Sequence, residues 1–211
     1  SDFVILVVPI DKAAPKGRLI LPQQQTIRDI LEAGAVSIVV KDNELKNTLE
    51  NIGKKPKLVI TDSQAFGKVS KDTPEDILLT SFSILFAGYK GDIQTFLHGA
   101  KAIASLTENS TVLIAEACAH APTTEDIGRE KIPRLLRQRV GHGLSFTFLR
   151  GNDFPQDLSP CDLIIHCGAC MFNRRHVIHR IAQANAQGIP ISNYGVVLAY
   201  LTGILDQVSH T

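Results

Sequence analysis

No apolar run in this chain of 211 residues approaches the roughly 18 needed to cross a bilayer as a helix, so no membrane span is expected. The first nine residues, Ser1 to Pro9, have no basic leader and no small-residue cleavage site. They read as a strand rather than a signal peptide, and the expected compartment is the cytoplasm. Neither charge is in excess: 22 Lys and Arg face 21 Asp and Glu, a net +1, which argues against a general nucleic-acid binder. There is no internal repeat and no low-complexity segment. Cysteine is scarce, and all four (Cys118, Cys161, Cys167, Cys170) lie beyond residue 90, as do all seven histidines. In a reducing compartment, paired cysteines more often bind metal or do redox chemistry than form structural disulfides. Arg is also rare before residue 90, at positions 18 and 28 only, whereas eight of the ten basic residues beyond it are Arg. The two halves differ in chemistry, with the ligand-type residues in the second.

The hydrophobic content of 44% is ordinary for a globular protein with a real core. Short β-rich runs alternate with helical patterns. Phe3 to Val8 is a strand, and Asp11 to Arg18, with two breakers and four charges, an exposed loop. Pro22 suits the first turn of a helix through Thr26, Ile27, Ile30 and Leu31, stopped by Gly34. Ala35 to Val40 reads as a buried strand, and Asp42 as the N-cap of a helix through Leu45, Leu49 and Ile52. Lys57 to Thr61 is a strand, Asp62 opens a short helix, and Glu75 to Ala87 is long enough for a strand and a turn. Gly88 to Gly91 is the expected domain boundary. Beyond it, helices are expected over Ile93–Leu106, Ile127–Val140, Asn173–Gln187 and Gly195–Leu205. Strands are expected at Thr111–Cys118, Leu144–Leu149, Asp162–His166 and Ile189–Ile191. The fold class is α/β: two successive small domains, each a mostly parallel sheet flanked by helices.

One constellation carries chemistry. Cys118 and Cys167 each follow an apolar run, at the C-terminal end of an expected strand. In an open parallel sheet such ends share one edge, where ligand sites form. The full pattern is Cys118-x-His120, a spacer of 45 residues, then His166-Cys167-x-x-Cys170. Gly168 would let the backbone approach a bulky ligand, and the N-terminus of the helix near Asn173 favours thiolate. Three converging thiolates match part of the ligation of a [4Fe–4S] cluster. The fourth position would fall to His120, His166, a carboxylate, water or an exogenous ligand. A structural Zn²⁺ site of the Cys₃His type uses the same residue types, so a zinc-stabilised interaction module is the alternative. A dithiol redox protein is another, although a distant third Cys with flanking His has no part in that chemistry. Cys161 precedes a strand and reads as a small buried residue. Arg174 and Arg175 could hold an incoming anion, against the plainer reading of a solvated helix start. Arg129 to Arg139 is by default a solvated helix face. No acid, base and nucleophile set is present, so no catalytic residue is assigned.

The same motif resembles the cluster motif of the HydF family, GTPase and scaffold proteins of [FeFe]-hydrogenase maturation. Pro9 to Gln23, Ala117 to Pro122 and Glu125 to Gly128 are also similar to stretches of that family. The resemblance implies a dimerisation domain over residues 1–90 and a [4Fe–4S] cluster-binding domain over 91–211. Cys118, Cys167 and Cys170 would bind the cluster, with His120 and His166 in the motif and an exchangeable fourth ligand. It implies an iron–sulfur scaffold that carries a two-iron precursor and delivers it to apo-hydrogenase, with the radical-SAM maturases as further partners of a homodimer. The family also has a GTPase domain, and no Gly-x-x-x-x-Gly-Lys-Ser/Thr phosphate loop occurs here. The expectation is a fragment beginning after that domain, with GTP bound only by the missing part.

Overall fold

The computed structural model describes residues 1–10, 19–62, 64–117, 126–169, 172–205 and 208. The loop expected at Asp11–Arg18 lies outside them. The chain divides into two units, Ser1–Leu85 joined by the chain end from Gly203, and Phe86–Thr202.

In the first unit the apolar run Phe3–Val7 forms β1, and four of its five residues are buried. α1 (Leu21–Glu32) starts where expected, with Pro22 in its first turn, where a missing N–H costs nothing. Gly34 follows it at φ +71°, a left-handed stop that suits glycine. β2 (Val36–Val40), α2 (Leu45–Asn51), β3 (Leu58–Thr61), α3 (Phe66–Asp72) and β4 (Leu78–Ser81) complete the unit. All pairings are parallel, in the order β2-β1-β3-β4. Val4, Leu6, Val8, Ile30, Ile60 and Phe82 form the core.

Three local expectations are corrected here. β2 is an edge strand, not a buried one: Val36 and Val39 remain 37% and 48% exposed, because a continuous apolar run does not say how many neighbours its strand has. Asp42 does not cap α2; its carboxylate pairs with Lys68 at 3.2 Å, and Glu44 sits at the cap without a side-chain bond. The run through Phe86 begins as the expected strand, β4, but it continues as a helix, α4 (Phe82–Lys90), and not as a turn. Phe, Ile and Leu suit either state, and burial alone carries no period.

The second unit repeats the topology without repeating the sequence. α5 (Ile93–Lys101) runs into a 3₁₀ turn at Ala102–Ser105, followed by β5 (Thr111–Glu116). A π-helical turn, Ile127–Lys131, leads into α6 (Ile132–Val140), then β6 (Ser145–Arg150) and β7 (Leu163–His166). α7 (Arg174–Ala186), β8 (Ile191–Asn193) and α8 (Tyr194–Leu201) follow. The sheet order is β6-β5-β7-β8, again all parallel. One face is filled by Val112, Ile114, Leu163 and Ile165 packing with Ile132, Leu136 and Val197. Among the described residues no helix is long and apolar enough to cross a membrane.

Asp92 caps α5, its Oδ1 accepting the backbone N–H groups of Gln94 and Thr95 at 3.0 and 3.2 Å. Asp92→Ala is expected to cost the second unit about 1 kcal/mol, since two orphan donors lose their partner. Asp92→Asn should retain most of it. Urea midpoints of the two variants would show the difference.

Candidate metal centre

β5 and β7 are neighbours, but the chain leaves β5 toward β6 on one side and returns to β7 on the other. The connections therefore diverge at the C-terminal ends of these two strands. That opening is where ligands of parallel α/β sheets bind. Ala115 of β5 lies beside His166 of β7, and the Cys167 N–H donates to the Ala115 carbonyl at 2.9 Å. The Ala117 N–H in turn donates to Cys167 Sγ at 3.0 Å. Cys118 is the next residue in the chain. Cys118, His120 and Cys170 themselves lie outside the described residues. The structure thus places Cys167 and His166 at the switch point, and no group of three potential metal ligands occurs among the described residues.

In the loop after β7, a Cβ at Gly168 would meet Phe86 at 4.0 Å among the described residues, and the left-handed residue is its neighbour Ala169, at φ 53°. Ala169 is buried and its carbonyl accepts from Phe172 N at 3.0 Å, a turn that directs the chain toward α7. Asn173 caps that helix, accepting from His176 N at 3.0 Å.

His166 is completely buried, with both ring nitrogens engaged. Its Nε2 lies 2.8 Å from Arg180 Nη1, and its Nδ1 2.8 Å from the Cys167 carbonyl. A guanidinium only donates, so Nε2 must accept and Nδ1 must carry the proton. Burial above all lowers the His166 pKa from its ordinary 6.5 to about 4, with Arg180 adding to the effect, so the ring is neutral.

Arg180 escaped the sequence reading. It lies three residues after Val177 and four before Ala184, both buried, so its place on the inward stripe of α7 was a legible signal. It is 3% exposed. Nη2 donates to the Gly151 carbonyl at 2.6 Å, and the group packs on the rings of Phe154 and Phe172 at 4.8 and 5.4 Å. Burial lowers its pKa, and the charge of a Cys167 thiolate opposes that shift.

A second charged group flanks the end of β5. Glu116 accepts from Arg129 at 2.9 Å and Arg150 at 3.2 Å. Arg129 also lies over the Phe148 ring, and Arg137 and Arg139 over Phe146 and Tyr200. These arginines cover aromatic surface, so this is not the purely solvated face expected. Gly128 permits the close packing there, since a Cβ would collide with the Tyr194 hydroxyl. Burial first, and the negative groups at Cys167, Glu116 and Asp126 next, raise the Tyr194 pKa far above its usual range. Arg174 and Arg175 are exposed at the start of α7, with Arg174 donating to the Gly91 carbonyl at 3.1 Å. His176 packs against Phe172 with ring centroids 4.2 Å apart and the ring planes tilted by 54°, and His179 is exposed. Cys161 is half-buried, and burial raises its thiol pKa; it has no place in the site.

The donor chemistry fits a thiolate-ligated cluster. A sulfur that accepts a backbone N–H and lies near a buried cation is favoured as thiolate.

Two family models match the chain. One, described as the hydrogen maturase F dimerization domain, matches residues 1–91. The other, described as the hydrogen maturase F tetramerization domain, matches residues 94–210, which is more than half of the chain. No curated protein matches it.

Proposed function

The chain belongs to the hydrogen maturase F family, and from that premise we propose that its second unit carries a [4Fe–4S] cluster on Cys118, Cys167 and Cys170. The family places the protein in hydrogenase maturation, and both matched domains are oligomerisation domains. The observation that carries the cluster reading is the switch point. There Cys167 Sγ is hydrogen-bonded to the residue that directly precedes Cys118. Three thiolates leave one iron position for an exchangeable ligand such as His120, and an open metal position is what a scaffold needs in order to take up and release cargo. When bound, the cluster supplies that iron site and one-electron redox chemistry. The protein's own part is to hold the thiolates at the ends of two rigid strands and to compensate their charge. The cargo is the two-iron precursor of the hydrogenase active site, received with the help of the radical-SAM maturases and delivered to apo-hydrogenase by a homodimer joined through its first unit.

Anaerobic reconstitution with iron and sulfide tests the cluster. The whole chain is expected to bind iron and sulfide in equal amounts and to give the paramagnetic resonance of a reduced cubane. Cys118→Ser, Cys167→Ser and Cys170→Ser should each reduce bound iron to background. Stoichiometric zinc in anaerobically prepared protein, or undiminished cluster in all three variants, would sink the assignment.

A further inference from the structure

We propose that Arg180 is the buried counter-charge of the cluster site, held in place by His166, and that it raises the cluster's reduction potential. This rests on the cluster reading above. Arg180 takes part in none of the ion pairs among the described residues. Its Nε is buried with no hydrogen-bond partner among the described residues. A buried cation without an anion is costly enough that proteins rarely keep one. Its neighbours answer only part of that need: a carbonyl from Gly151, an imidazole nitrogen from His166 and the faces of two phenylalanines. None of these is an anion. The strand end that carries His166 carries Cys167 next to it, and a cubane on three thiolates is net negative in both redox states.

His166 links the two. The same ring accepts from Arg180 and donates to the Cys167 carbonyl, so the guanidinium is tied through one residue to the backbone of a ligand. With both nitrogens committed, His166 acts as a positioning residue rather than a donor to iron. Reduction adds one electron to the cluster, and a fixed cation in a poorly solvated position stabilises the more negative state. Arg cannot lose its charge, so this stabilisation persists across the working pH range.

The test is a dithionite titration of the reconstituted whole chain, followed by electron paramagnetic resonance, in which dithionite supplies the electron. Arg180→Gln, with all three cysteines intact, should bind a full cluster that is reduced at a more negative potential. Arg180→Lys keeps the charge and should stay closer to the wild-type potential. His166→Gln should shift in the same direction as Arg180→Gln while keeping the wild-type resonance pattern. An unchanged potential in Arg180→Gln, or an equal shift in Arg180→Lys, overturns the proposal. Should Arg180→Gln fail to fold, His166→Gln decides: an unchanged potential, or a resonance pattern altered as by loss of an iron ligand, overturns it. A wild-type chain that binds no cluster removes the cluster reading itself, a result distinct from any of these.

Discussion

Gly99→Ala is expected to destabilise the second unit by about 1–3 kcal/mol or more, enough to lower its urea midpoint sharply. By helix propensity alone the sign would be reversed. Gly in a helix interior is about 1 kcal/mol less favourable than Ala. Gly99 lies in α5, however, where the helix passes directly over the backbone of β8. A Cβ there would overlap the Ile191 carbonyl and crowd the Ser192 nitrogen. Backbone cannot rotate aside as a side chain can. The contact is also tied from the other direction, because Ser192 Oγ donates to the Phe96 carbonyl at 2.8 Å. Moving α5 outward would break that bond and expose Phe96 and Ala100, which are buried. Gly67→Ala in α3 is the control, since nothing lies within 4 Å of a Cβ at that position. It should leave the first unit unchanged or slightly more stable. Equal midpoints for Gly99→Ala and wild type would show that α5 can move.

Acid is expected to weaken the metal-free second unit between about pH 6.5 and pH 4. In the unfolded chain the His166 imidazole binds a proton near its ordinary 6.5; in the fold it does so only near 4. Below 6.5 the unfolded state therefore binds more protons, and stability falls as pH falls. The contribution is complete above 6.5 and is lost progressively down to the folded value. A shift of this size corresponds to about 3 kcal/mol. The cause is burial first, since an imidazolium here would lose its water, and then Arg180, because protonation would put a positive charge beside the guanidinium and remove the Nε2 lone pair that accepts from it. Urea unfolding of the metal-free chain at several pH values measures the slope. His166→Gln, which has nothing to protonate in this range, should flatten it. An equally steep slope in that variant would assign the acid sensitivity to other groups.

Much of the architecture was legible as local pattern. α1 announces itself by Pro22, its apolar spacing and Gly34, and α7 by the Asn173 cap and Val177, Ile181 and Ala184. Each signal acts within a few residues, where sterics and capping dominate. The alternation of strands and helices likewise requires parallel sheets, because parallel neighbours need a crossover between them. The motif spacing was visible in the same way, since Cys167 and Cys118 each follow a short apolar run of strand type.

Neighbourhood was left to the tertiary structure. Strand order turned the apolar run of β2 into a half-exposed edge, and it gave the two dissimilar halves the same topology. It also set β5 beside β7, which is why the end of one strand donates a hydrogen bond to the cysteine at the end of the other. The charge state of the site was decided at the same level. From sequence, His166 was a candidate ligand and Arg180 an unremarked helix residue. In the fold both are withdrawn from water and bonded to each other, and low polarity makes the histidine neutral and leaves the arginine seeking an anion. Sequence identifies which groups can carry charge; burial and partners determine which of them do, because the energy of a charge depends on what surrounds it.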